Sequence, residues 1–297
     1  MHLEMQSQRK NIYISKLNNE KKLSKIAGVT LIEILIVIVI SVVMMAAMFT
    51  SYNVVNNSYS QVTDRAKLSI QGRDVIGMMM RDIRNAGYKY YGDNVKTNNQ
   101  HAPIIITKSS NFNNDCDKID IVYGDVDYNK NKTPKYTYQR YKITYHCEKS
   151  KLPNKNAKPL PGGKQPPIDA FAIYKTKVIW DKTANNWKNP ETDGVDATYK
   201  KQLIADYIED LVFIPIDEEG KIINPPPTPT NATKSKLYKI KTIDIALTVR
   251  STKNFFRNIK ARFQETLNDQ TRKKVKTDRY LRESIVVTAH ARNLGMQ

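Results

Sequence analysis

The chain has 297 residues, 40% of them hydrophobic, and a formal net charge of +19. That length admits one large domain or two small ones, with enough apolar content for a real core. Its two cysteines and four histidines do not fall at metal-ligand spacing, and there is no Gly-rich phosphate loop, nucleophile elbow or credible catalytic triad, so we read no enzyme, no metal and no cofactor.

The charge is unevenly spread. Residues 1–28 carry six basic residues and two acidic ones, a balance of +4 that leaves +15 for the remainder. Such a basic remainder fits either solvated lysine faces or a polyanionic partner such as nucleic acid or anionic lipid.

Val29–Phe49 then holds one charged residue, Glu33, and no further charge follows until Asp64. A helix of about 20 apolar residues spans a bilayer. Basic residues precede this run and none closely follows it, so the positive-inside rule leaves residues 1–28 cytoplasmic and the bulk of the chain periplasmic. No Ala-x-Ala-like site follows the run, which argues against a secretory signal removed at its far end. Glu33 is the anomaly. A carboxylate near one end of a membrane helix costs roughly 2–3 kcal/mol unless paired. It is either a functional group or a glutamate snorkelling to the interface.

The run Gly28-Val29-Thr30-Leu31-Ile32-Glu33-Ile34-Leu35-Ile36 closely resembles the signature of type IV prepilins and type II secretion pseudopilins. The resemblance implies a cut between Gly28 and Val29 by a cytoplasm-facing prepilin peptidase, N-methylation of Val29, and pairing of Glu33 with the N-terminal ammonium of a neighbouring subunit. Such a pair would relieve the cost of the buried carboxylate only in the assembled fibre, and so set register. Val29 departs from the Phe usual at the first mature position, and the 28-residue leader is longer than in many pilins.

Apolar periodicity continues beyond the membrane-length run. Tyr52, Val55, Tyr59, Val62, Ala66, Ser69, Arg73, Ile76, Met80 and Ile83 step by three and four, which is one helix face. No proline interrupts residues 29–87, and Gly87 reads as the C-terminal stop. The predicted helix covers about 55 residues, near 80 Å at 1.5 Å per residue. Residues 29–50 are its membrane or fibre-core half, residues 51–87 its amphipathic half, and residues 88–297 a periplasmic head. The closing run Arg81-Asp82-Ile83-Arg84-Asn85-Ala86-Gly87-Tyr88 resembles the PilW family of minor pilins. The J-type pseudopilins of type II secretion share its Arg-Asp-x-Arg portion.

In the head, strands are predicted over Pro103–Thr107, Lys118–Tyr123, Thr137–Cys147, Phe171–Trp180, Leu211–Ile216, Tyr238–Arg250 and Arg282–Arg292. Alternation is clearest over Thr242–Val249 and marks a half-buried antiparallel strand. The expected fold is α+β, a type IV pilin fold with a long N-terminal helix packed on an antiparallel sheet. Three further stretches are PilW-like: Asp115–Tyr123 as a strand, Ala205–Leu211 as a short turn before a late strand, and Asp278–Asn293 as the closing strand. Cys116 and Cys147 lie past the apolar run, and an even count there fits one disulfide in an oxidising compartment or two buried thiols.

Ser150–Pro167 and Asn224–Thr230 are Pro-rich and read as exposed loops. Residues 251–279 carry nine basic residues against Glu265, Asp269 and Asp278, a balance of +6. Phe255, Phe256, Ile259 and Phe263 sit at helical spacing there. This segment reads as a basic amphipathic helix, binding DNA, lipid or a partner, or simply capping the sheet. Asp125-x-Asp127-x-Asn129 opens like a calcium loop, but Lys130 and Tyr136 stand where Gly and Glu are needed.

The resemblance implies a single-pass inner-membrane protein, found in a pilus fibre or tip after assembly. Its expected partners are the prepilin peptidase, other minor and major pilins and the inner-membrane assembly platform. The alternatives are a pseudopilin of a type II secretion tip, a head that itself binds DNA or a host polyanion, and an unprocessed single-span protein.

Overall fold

A computed structural model describes residues 28–88, 102–109, 116–128, 130–131, 133–154, 157–188, 190, 198–223, 237, 239–256, 258–264 and 274–294. Most of the expected leader (1–27), the loop 224–230 and residues 265–273 lie outside the described residues. Two compact units divide at Tyr59 and Ser60.

One helix, α1 (Leu31–Arg84), begins in the first unit and ends in the second. Its end has a local cause. Gly87 takes φ +74°, a left-handed conformation that suits glycine, and its N–H donates to the Val122 carbonyl at 2.9 Å. A Cβ there would meet Leu294 Cδ2 at 3.0 Å, so close packing as well as backbone conformation favours glycine.

In the first unit the described side chains are exposed, with Ser41 alone intermediate. This stretch belongs to the one described helix long and apolar enough to cross a membrane.

Among the described residues the second unit holds ten strands. They are β1 (Ile104–Thr107), β2 (Lys118–Tyr128), β3 (Tyr136–Lys149), β4 (Phe171–Asp181), β5 (Asn186–Trp187), β6 (Tyr199–Ile216), β7 (Thr242–Arg250), β8 (Lys260–Gln264), β9 (Lys274–Asp278) and β10 (Arg282–His290). The main sheet runs β1-β2-β3-β4-β6-β7-β10, with β5 on β4, and β8 and β9 form a separate pair. All these ladders are antiparallel. The α+β class expected from the sequence is the observed one: a long N-terminal apolar helix and an antiparallel sheet.

The core lies between the last turns of α1 and one sheet face. Leu68, Val75, Ile76, Met79 and Ile83 share a buried cluster with Ile121, Tyr145, Leu211, Phe213, Leu247 and Val249. The buried stripe shares Ile76 and Ile83 with the one that periodicity picked but departs from it elsewhere. Ala66 and Arg73 are exposed, while Leu68 and Gly72 are buried. The reason is steric. A Cβ at Gly72 would lie 2.4 Å from Ile285 Cδ1, so the helix turns its smallest residue to the tightest contact. Hydrophobic patterning gives no weight to such a contact.

Two further expectations are corrected. Residues 251–279 do not form a helix in their described part. β8 and β9 pair in register from Lys260↔Asp278 to Gln264↔Lys274, and apolar residues alternate with basic ones at the strand period of two. Ala205–Leu211 is no turn either. It lies inside the 18-residue β6. Tyr207 at φ +61° and a register shift between Ile208 and Asp210 kink that strand, which is bulge geometry. The Asp125 carboxylate belongs to β2 and accepts from the Val126 N–H at 2.8 Å; among the described residues no acidic, His or Cys group could hold a metal ion.

Candidate functional site

Gly28 to Thr30 carry no regular structure and are exposed. A Cβ at Gly28 would meet nothing within 4 Å, and Val29 is 67% exposed. α1 starts two residues later, and Thr30 caps it. The Thr30 hydroxyl accepts from the Glu33 N–H at 3.3 Å, while the Thr30 N–H and hydroxyl both reach Glu33 Oε2 at 3.4 Å. This is a capping box, S/T-x-x-E, which satisfies otherwise orphaned helix donors reciprocally. Glu33 is thus both the lone charge in the apolar run and the third residue of the helix, where the helix dipole favours an anion. Thr30-x-x-Glu33 was readable as a cap in the sequence; the family resemblance drew attention to the carboxylate alone.

The head is held by three polar knots, and each joins segments far apart in sequence. At the first, Cys116 and Cys147 form a disulfide with Cα atoms 5.8 Å apart. The adjoining Asp117 is fully buried. It accepts from the Phe213 N–H at 3.0 Å, the Ser109 N–H at 3.1 Å and Lys108 Nζ at 2.9 Å. A carboxylate buried this deeply is tolerable only because it is so fully partnered.

At the second knot, Asp82 of α1 meets Lys175 Nζ of β4 at 2.7 Å and accepts from the Tyr145 hydroxyl of β3. Burial, then the Asp82 charge, drives the Tyr145 phenol well above its ordinary range, so it stays a neutral donor. The knot ties the closing turn of α1 to the sheet. The resemblance singled out Arg81-Asp82-Ile83-Arg84, and the structure gives Asp82 an anchoring contact.

At the third knot, Glu209 is 4% exposed. Arg282 Nη2 lies 3.1 Å and Arg250 Nη1 3.4 Å from Glu209 Oε1, with Lys276 Nζ 3.7 Å from Oε2. Arg250 also donates to the Asp169 carbonyl at 2.8 Å and stacks 4.4 Å above the Tyr280 ring. Arg282 reaches both carboxylate oxygens of Asp278, at 2.9 and 2.6 Å. Burial alone would raise the Asp278 pKa, but the Arg282 hydrogen bond and charge outweigh it and hold the carboxyl below its usual range. Sequence reasoning gave Glu209 no role. Its signal was an acidic pair inside the apolar run Ile208-Glu209-Asp210-Leu211.

These knots are structural rather than catalytic in geometry. The open N-terminal segment lies in the first unit and the polar knots in the second.

No protein-family model matches the chain, and no curated protein matches it. Among solved structures it is similar to a type IV-like pilin, TTHA1219 from Thermus thermophilus, at 9% identity and a TM-score of 0.40, covering 76% of this chain and 96% of that one.

Proposed function

We propose that this chain is a prepilin-type protein, cut between Gly28 and Val29, N-methylated at Val29 and anchored in the inner membrane by the first half of α1. We assign it to the PilW-like minor pilins, which take part in initiating or capping a type IV pilus with other pilins. The observation that carries this reading is Glu33, the only charge between Val29 and Phe49, set five residues into the chain that a cut after Gly28 would leave. Accessibility supports it as well: among the described residues no group crowds Gly28. In the assembled fibre, Glu33 pairs with the amine of a neighbouring Val29. The prepilin peptidase, other minor and major pilins and the assembly platform are the partners this implies.

The second reading is a pseudopilin of a type II secretion tip, favoured by the shared Arg81-Asp82-x-Arg84 run. A deletion strain separates the two. Loss of surface fibres with secretion intact supports the pilus. Loss of exoprotein secretion with fibres intact supports the pseudopilus and contradicts our assignment.

A further inference from the structure

The β8–β9 segment has no role in the knots' geometry beyond its base, yet it carries a balance of +6 over residues 251–279. Its position within the head is fixed by what flanks it. Gly72 of α1 lies against Val249 of β7 and Ile285 of β10, whereas Asn293, past the end of β10, donates to the Arg84 carbonyl at 3.0 Å. The Arg250 end of β7 and the Arg282 end of β10 therefore lie toward the lower-numbered turns of α1. The segment joins those two ends. It sits at the end of the head where the chain enters from Ser60.

Its base is firmly built. The Phe255 and Phe256 N–H groups donate to the Arg279 carbonyl at 2.8 and 3.0 Å, and the Ser251 N–H to the Leu281 carbonyl at 2.8 Å. Arg65 of α1 lies 5.4 Å over the Phe255 ring. The buried carboxylate of Glu209 and the half-buried Asp278 are engaged by Arg250 and Arg282. Its outward residues include the exposed cations Lys253 and Arg279, and Ile259 and Val275, each 59% exposed. Exposed aliphatic side chains among lysine and arginine make a surface that suits a membrane interface, where the cations meet headgroups and the apolar groups sink below them.

We propose that this end of the head, centred on Lys253, Ile259, Val275 and Arg279, binds anionic phospholipid headgroups while the chain is anchored in the membrane. The proposal rests on the membrane-anchored reading above. It gives the basic segment work in the stage before assembly: the head is held against the leaflet, and it leaves when the subunit is drawn into a fibre.

The test uses the full chain reconstituted in vesicles of phosphatidylcholine alone or of phosphatidylcholine mixed with phosphatidylglycerol. Hydrogen exchange is followed in residues 258–264 and 274–279. Exchange is expected to slow on the order of tenfold with the anionic lipid, and high salt is expected to remove the effect in the native chain. The Lys253→Glu/Arg279→Glu variant is expected to lose it while β7 and β10 exchange as before. Equal exchange in both lipids overturns the proposal, and so does slowing that survives high salt. Slowing by added duplex DNA over neutral vesicles, with none from phosphatidylglycerol, overturns it in favour of a nucleic-acid surface. Flotation with the neutral vesicles reads the anchor separately. A chain that floats but shows no lipid-dependent exchange leaves the anchor standing and defeats this proposal alone, whereas a chain that does not float defeats both.

Discussion

The two ends of α1 are one helix built for two surroundings. From Leu31 to Phe49 its large apolar side chains are more than half exposed, all round the axis. From Leu68 to Ile83 its apolar residues are confined to a stripe, and that stripe is buried. The second pattern is that of a helix covering a sheet in water. The first is apolar on every side and is satisfied only by lipid or by other apolar helices. Helix propensity is ample in both halves. What separates them is which solvent the unburied faces accept, and charge records the change: Glu33 stands alone in the first part, and charged residues recur from Asp64 onward.

If the contrast is right, truncating the two halves has unequal effects on the head. Met79 is fully buried, and Met79→Ala is expected to cost about 2–5 kcal/mol of head stability through lost contacts and the cavity left behind. Val42→Ala is expected to change it by less than about 0.5 kcal/mol. Denaturant unfolding of the detergent-solubilised chain, followed by tyrosine and tryptophan fluorescence, compares them. Equal effects would mean that the first half also supports the head.

The disulfide comes next. Cys116 and Cys147 are separated by 31 residues in sequence, and a closed loop of that size is worth roughly 3–4 kcal/mol in the chain-entropy account. Reduction is expected to lower the stability of the head by that order and to leave membrane flotation unchanged. A change in flotation would break the independence of the two halves.

Gly72 gives a smaller effect. With a Cβ 2.4 Å from Ile285 Cδ1, Gly72→Ala is expected to cost about 1–3 kcal/mol by overpacking, and Ile285→Val in the same chain is expected to recover part of it. No recovery would mean that the helix, rather than the side chain, had moved. A double-mutant unfolding cycle measures the coupling.

The smallest effect is acid-dependent. Asp278 has a depressed folded pKa, held down by Arg282 against the opposing effect of burial. Its contribution is therefore fully present above the ordinary aspartate range and is lost as pH falls through the lower folded value. Acid titration is expected to loosen residues 274–279 before the core strands, as read by hydrogen exchange. Loosening that begins near neutral pH would contradict this assignment.

Much of this architecture could be read before the fold was known, and the failures have physical causes. The N-terminal run and the strand alternation at Thr242–Val249 were readable because each is a local pattern with one period. β6 was found only from Leu211, because Lys201 and Tyr207 take positive φ and the ladder slips beside them, which disrupts alternation. The β8–β9 pair is hidden in the sequence because Phe255, Phe256, Ile259 and Phe263 fall at helical spacing while the intervening basic residues mask a period of two. Glu209 and Asp117 could not be read as anchors at all. Glu209 has partners 41 and 73 residues away, and Asp117 has one 96 residues away besides its nearer ones, and the distant pairings follow from sheet topology. At the N-terminal segment the residue types are plain, and the mutual capping of Thr30 and Glu33 follows from their spacing of three.

The central claim is that the exposed apolar half of α1 becomes the first segment of a processed chain. Mass mapping of the N-terminus of the protein purified from its native membrane tests it most directly. The account predicts a chain that begins at Val29 and carries one methyl group on its amine. A chain that still begins at Met1 would contradict it.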